Sequence, residues 1–418
     1  MDTSENLYEK LKSLGVKLGT SPANISLQPQ LVDEVFPPSH QDIDSVVNGR
    51  NYETHFGSTF LIEKSFPLDY SHGIIHICEY PKYRIISEWS RCLELNTAEP
   101  HQIVFLDTET TGLAGGTGTL VFLVGLGFLS STGFRLYQIF LRDPSEEPAF
   151  LTSLVDLLAN HTILVTYNGK TFDIPLLNTR FRLNQFASPV QSLGHIDLLP
   201  LARRLWRNRL PSRTLGYLEE ELLDVHRTQQ DVPGWLIPDL YFDYLRTRDA
   251  RPMAGIIYHN EIDILSLAGL FVMVSNLLNH PIELHRHGLD LAAIARLYAE
   301  LGYEDEAETI YEHSFKGSIP TEHVIQVLLN YAKVCRDTNK SEKCLHAWQK
   351  AASLGSIEAH LKLAKYYEHH TREYLTALYW TTNALDLVKT IPYNQQVVAE
   401  LTHRKKRLEL KQSKAEEK

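Results

Sequence analysis

The chain has 418 residues, of which 43% are hydrophobic and 22% charged, and a formal net charge of −10. This composition excludes a disordered chain, a collagen and a disulfide scaffold, and the length leaves room for two or three domains of roughly 100–200 residues. The four cysteines, Cys78, Cys92, Cys335 and Cys344, show no CxxC spacing. Neither a disulfide framework nor a zinc ribbon is indicated, and a reducing, cytoplasmic setting is expected.

The N-terminal MDTSENLYEK lacks a basic stretch followed by an apolar core. The longest apolar run, Leu120 to Leu129, is well short of the roughly 18 residues that span a bilayer, so no membrane segment is expected. Residues 1–98 are mixed, with short alternating stretches near Gly57–Glu63 and Gly73–Cys78, and no function is legible in them. From Gln102 the pattern sharpens. The runs IVFL, TLVFLVGLGFL and FRLYQIFL, separated by turn residues, predict three sequential strands. A helix over Glu147–Leu158 follows, then the strand TILVTY, a helix from about Asp173 to Phe186, a short strand at His195–Asp197 and further helices. A meander followed by alternating helix and strand predicts an α/β domain with a mixed sheet over 99–280.

After about Pro281 strand signals vanish and apolar residues recur at helical spacing. Ala295, Tyr298, Ala307 and Tyr311 partly recur as Leu328, Tyr331, Cys344 and Trp348, and again as Ala364, Tyr367, Ala377 and Thr381. This degenerate repeat over 285–402 resembles tetratricopeptide helical pairs, which stack small residues against aromatic ones. An irregular helical bundle has the same core pattern. Residues 403–418 form a charge-rich tail, expected to be a solvated helix end.

Three segments carry chemistry. In FLDTETTGL, Asp107 and Glu109 flank Thr108 at the end of an apolar strand and point to one side, with Gly112 permitting a tight turn. Paired carboxylates repel unless a cation sits between them, which suits a hard divalent ion with oxygen ligands. In TYNGKTFDIPLL, Asn168 and Lys170 precede Asp173 at the start of an amphipathic helix, where they can orient a phosphate; an N-cap is the structural alternative for Asp173. In YHNEIDILSLAGLF, His259 and Asp263 are four apart and share one helix face, whereas Tyr258 is rotated away by about 140°.

In this order the three segments resemble the exonuclease motifs of the DEDD superfamily of 3′→5′ exonucleases, built on the ribonuclease H fold, and the YprB-like bacterial group most of all. The resemblance covers about Gln102–Asn276. It implies that Asp107, Glu109, Asp173 and Asp263 hold two Mg²⁺ or Mn²⁺ ions and that the substrate is a nucleic acid strand with a 3′ end, which Thr108 and Gly112 in the first segment are expected to contact. Family members carry the general base as Tyr four, or His five, residues before the last Asp. This chain has His259 at four and Tyr258 at five, and geometry favours His259, whose neutral imidazole takes a proton near pH 7.

The net charge opposes a polyanion at long range, but RRLWRNRLPSR gathers Arg203, Arg204, Arg207, Arg209 and Arg213 without an acid. With Trp206 available to stack on a base, this strip is a candidate phosphate-binding surface for a single strand. A solvated face with Trp206 in the core is the structural alternative. GGTGT, Gly115 to Thr119, lacks the Lys and spacing of a phosphate loop and reads as the bend into the second strand. The expected function is a divalent-metal-dependent 3′→5′ exonuclease whose helical repeats offer a surface for protein or nucleic-acid contacts. The alternative is a catalytically weak nucleic-acid-binding or scaffold protein.

Overall fold

Continuous burial along the first apolar run, Ile103 to Leu106, gives the molecule its centre. In a computed structural model, which describes residues 41–79, 81–112, 117–284, 287–389 and 395–416, the strands are β1 (Arg50–Thr54), β2 (Gly57–Phe66), β3 (Ser71–His72), β4 (Ile75–His76), β5 (Ile103–Thr110), β6 (Val121–Ser130), β7 (Gly133–Phe140), β8 (Ile163–Thr166) and β9 (Gly194–Asp197). Seven of them form a mixed sheet in the order β1-β2-β7-β6-β5-β8-β9. β5, β6 and β7 form an antiparallel meander, and β8 and β9 join parallel to β5. Ile103 and Phe105 face one apolar layer and Val104 and Leu106 the other, so β5 is covered on both sides.

The longer helices are α1 (Glu147–Leu158), α2 (Asp173–Leu183), α3 (Leu198–Trp206), α4 (Leu215–Leu223), α5 (Ile237–Thr247) and α6 (Met253–Asn279), then α7 (Gly288–Glu300), α8 (Glu304–Ser314), α9 (Thr321–Asp337), α10 (Ser341–Ser353), α11 (Ile357–Tyr366), α12 (Tyr374–Lys389) and α13 (Gln395–Glu416). The architecture is therefore an α/β mixed sheet followed by an all-α region, the arrangement that the resemblance to the ribonuclease H fold implies. By length and composition α6 could cross a membrane, a feature that counting uninterrupted apolar residues overlooks. Here 78% of its most apolar window is buried within the fold. It contributes Ile256 and Ile257 to one apolar layer and Ile264 to Leu278 to the other, which places its polar middle, His259 to Asp263, next to the end of β5.

Two boundaries read from the sequence do not coincide with structural breaks. The sheet begins well before residue 99, because β2 pairs antiparallel with β7 and β1 with β2. Residues 403–416, the described part of the charge-rich C-terminal stretch, are not a separate solvated tail. α13 runs through this boundary, and Arg404, Arg407 and Lys411 converge on the carboxylate of Glu368, which is 2% exposed. Among the C-terminal helices α7 packs on α8, α9 on α10, and α12 on both α11 and α13. Ala295, Tyr298, Ala307, Tyr311, Tyr331, Cys344 and Trp348 lie in the core of this region.

Candidate active site

Asp107 and Glu109 emerge side by side from the end of β5, where the strand passes from fully buried to partly exposed. Asp107 is in register with Gly125 of β6, and this glycine lets α6 come close. A Cβ on Gly125 would lie 2.3 Å from Asn260 Oδ1. The buried Asn260 amide is held by Gln138, which donates to its Oδ1 at 2.9 Å, and in turn donates to Asp107 Oδ2 at 2.9 Å. Lys64 of β2 pairs with Glu261, tying the N-terminal strands to the same helix segment.

Asp173 is the first residue of α2 and is 5% exposed. Thr108 donates its hydroxyl to Asp173 Oδ1, so it braces a carboxylate instead of facing substrate as expected. The turn ahead of α2 is organised by Asp197, which caps α3 through the Leu199 N–H at 3.1 Å and accepts from the Asn168 and Lys170 N–H groups at 2.8 and 3.1 Å. Asn168 has φ +66°, a left-handed conformation its short amide side chain tolerates, and that side chain accepts from Thr171. Among the predicted substrate-binding residues near the turn, the Lys170 side chain is exposed, and the Gly112 carbonyl accepts from Thr110 at 3.0 Å. Part of the GGTGT stretch, Gly115 and Gly116, lies outside the described residues.

His259 Nε2 lies 3.4 Å from Asp263 Oδ2, as the four-residue spacing predicts. Ligand atoms of Glu109, His259 and Asp263 all lie within 4.8 Å of one another. Tyr258 points elsewhere, its hydroxyl accepting from the Thr228 N–H at 3.1 Å. His259 Nδ1 is 2.8 Å from Asp231 Oδ1 and 3.1 Å from Arg227 Nη1. Neither partner was legible in the sequence, since both sit in the irregular segment between α4 and α5 where no periodicity constrains the side chains. The available signal was a lone arginine following the acidic run of α4. Arg227 pairs with Asp263 and with both oxygens of Glu219, a carboxylate only 2% exposed that also accepts from Ser266 at 2.7 Å.

The electrostatics follow from burial. Desolvation, then the charges of Asp263 and Asp173, hold the Asp107 carboxyl well above its usual range, against the hydrogen bond from Asn260 and the charge of Arg227. Glu109 is raised in the same way by burial and by Asp107, Asp263 and Asp173. Burial raises Asp173 to about 6, with Asp197 adding to it and the Thr108 hydrogen bond opposing it. A cleft of about 760 Å³ opens beside this cluster, lined by Arg227, Asp231, Gly234, His259 and Asp263 among others.

The arginine strip divides. Trp206 is 1% exposed and belongs to the core, which removes it as a stacking surface: on α3 its indole faces the same apolar layer as Leu205. Arg209 is tied to the buried Asp290 at 2.8 Å, Arg204 pairs with Glu300, and Arg213 donates to the Leu210 and Pro211 carbonyls. Arg203 and Arg207 are exposed. Arg203 and Arg213 line a neighbouring cavity of about 400 Å³ with Asn168, and this cavity shares Thr214 and Leu215 with the main cleft. Trp235, directly after the cleft-lining Gly234, is 76% exposed.

Residues 104–275 match the sequence family described as the RNase_H superfamily. The chain is 31% identical over 330 residues, 76% of its length, to the Bacillus subtilis (strain 168) protein named "Uncharacterized protein YprB", of which it covers 78%. Among solved structures, the family B DNA polymerase of the hyperthermophilic archaeon Pyrobaculum calidifontis aligns at a TM-score of 0.35 and 16% identity, over 56% of this chain and 29% of the polymerase. The APC/C hetero-tetramer Cut9–Hcn1 aligns at a TM-score of 0.24 and 12% identity, over 62% of this chain and 56% of that one.

Proposed function

The chain belongs to the YprB family and carries a ribonuclease H superfamily domain, and from that premise we propose that it is a divalent-metal-dependent nuclease that removes nucleotides from the 3′ end of a single strand. The observation that carries this reading is the convergence of four carboxylates from β5, α2 and α6, with an imidazole beside them. The donor set fits a hard dication: carboxylate oxygens predominate, and their burial and mutual repulsion create a deficit of positive charge that such an ion offsets. Asp107, Glu109, Asp173 and Asp263 are the residues that would hold two Mg²⁺ or Mn²⁺ ions. Ions so held supply Lewis acidity toward the phosphate and its leaving oxygen and make water a stronger acid.

The protein's own groups do the positioning. Asn260 fixes the Asp107 carboxylate and Thr108 that of Asp173. Asp231 holds His259 at Nδ1. In the tautomer that donates this Nδ1–H to Asp231, Nε2 is the acceptor that takes the proton of the attacking water.

The test is incubation of 3′- and 5′-labelled single strands, DNA and RNA, with Mn²⁺ and with chelator. Stepwise shortening from the 3′ end, abolished by chelator and by Asp263→Asn, is expected. Cutting of a circular strand would indicate an endonuclease. Strand binding without any cleavage, unchanged by Asp107→Ala, would favour the scaffold reading.

Trp235 takes the stacking role that Trp206 is too buried to perform. Trp235→Ala is expected to weaken single-strand binding by about 1–3 kcal/mol, the usual worth of a base on an aromatic face, and Trp235→Phe to restore most of it. Fluorescence anisotropy with chelated protein reads both. Equal affinity of the alanine variant and the wild type would remove Trp235 from the binding surface.

A further inference from the structure

A cavity of about 420 Å³ lies between the C-terminal end of α3 and the C-terminal helices. Its lining includes Arg204 and Arg207 at the end of α3, Arg296 of α7, and His323, Gln326 and Asn330 of α9. No carboxylate is among its lining residues. Glu300 pairs with Arg204 and lies 3.9 Å from Arg296, so one acid answers two of the three guanidinium groups. Arg207 makes no hydrogen bond or ion pair among the described residues and is exposed, while the buried Nε of Arg204 has no hydrogen-bond partner. In a chain with a net charge of −10, so local an excess of cations, bordered by neutral amide side chains, is complementary to phosphate.

α3 links this cavity to the carboxylate cluster. The helix starts at Asp197, the residue that organises the turn before Asp173, and nine residues at about 1.5 Å each carry it only roughly 14 Å. Arg203, one residue before Arg204, faces the cavity that adjoins the cleft. The cations on successive faces of α3 thus lead from the cleft to the cavity under the helical region.

We propose that this cavity is a phosphate subsite for the substrate strand, binding backbone phosphates several nucleotides away from the reacting end and making α7 and α9 part of the nucleic-acid surface. The proposal rests on the nuclease reading and adds to it residues of the helical region. It accounts for an arginine strip whose tryptophan is in the core: α3 buries Leu205 and Trp206 and turns its cations outward toward two cavities.

The experiment measures binding of fluorescent single strands to the full chain in chelator by anisotropy. A strand of about twelve nucleotides, within the roughly 4–16 usual for a single-strand groove, is compared with a dinucleotide over a range of salt. The double variant Arg207→Ala/Arg296→Ala changes two exposed side chains. It is expected to lower the ratio of long-strand to dinucleotide affinity by about tenfold and to reduce the salt slope by about 1.4, or roughly 0.7 for each phosphate no longer neutralised. An unchanged ratio and slope would overturn the subsite, as would a wild type that binds no strand. Competition by inorganic phosphate or a nucleoside 5′-monophosphate against the dinucleotide, with no length effect, would assign the cavity to a small phosphorylated ligand and also overturn it. Length-dependent binding that the double variant weakens, in a protein that cleaves nothing with Mn²⁺, would keep the subsite and reject the nuclease.

Discussion

Asp107→Asn abolishes cleavage and stabilises the metal-free protein. Asn keeps the shape and the contact with Asn260 but cannot carry the charge that a dication needs. Loss of several kcal/mol of transition-state stabilisation corresponds to a rate decrease on the order of 10³-fold or more. The same change removes a carboxylate that burial and the charges of Asp263 and Asp173 hold well above its usual range, and relieves its repulsion of Glu109. Each kcal/mol so relieved is worth roughly 2–4 °C of melting temperature in a domain of this size. The sign of the pH dependence follows from linkage. A carboxyl whose folded pKa is raised keeps a proton that the unfolded chain has lost, so its penalty is absent below the unfolded value and grows as pH rises to the folded one. For Asp173, raised from 3.8 to about 6, the window is about pH 4–6 and the penalty above it about 3 kcal/mol. The stability gap between Asp107→Asn and wild type therefore closes toward low pH and widens toward neutrality, and Mn²⁺ raises the melting temperature of the wild type more than that of the variant. Undiminished cleavage by the variant, or a lower melting temperature at neutral pH, would show that Asp107 is an ordinary strand-end carboxylate.

The parts of this architecture that were legible in the sequence are those in which period and burial coincide. β5 to β7 read as apolar runs because both faces are covered, and α1 read as a helix because its apolar residues repeat at helical spacing. His259 and Asp263 could be paired by arithmetic because an unbroken helix fixes the angle between them. The two N-terminal strands were not legible as part of the sheet. β1 lies at its edge, is largely exposed and carries no apolar alternation, and its place is set by pairing with β2, which pairs with β7, a strand more than sixty residues away. Composition alone left the arginine strip undecided, because it does not reveal which side of α3 faces the core: Trp206 and Leu205 fill the interior, and Arg209 answers a buried Asp290. Arg227 and Asp231 were unreadable for a further reason. Their roles depend on a loop returning over α6, a long-range contact that leaves no local pattern.

Arg227→Met destabilises the protein by about 3–5 kcal/mol, because it leaves the Glu219 carboxylate buried without its cation. The Ser266 hydroxyl, which also donates to Glu219, already hydrogen-bonds with the buried His72 and cannot replace a two-nitrogen contact. Adding Glu219→Gln removes the stranded charge, so the double variant recovers most of the missing stability in urea unfolding. Cleavage separates a structural guanidinium from one that serves the site. Arg227 also contacts Asp263 and approaches His259 Nδ1, and its charge opposes the upward shift of Asp107 and Glu109. The double variant thus regains its fold yet cleaves roughly 10²-fold more slowly, the usual cost of losing one well-aimed donor beside a developing charge. A double variant restored in both stability and rate would confine Arg227 to holding α4 against the following loop. One restored in neither would place its main energetic partner at Asp263, so that Glu219 matters less than its burial indicates.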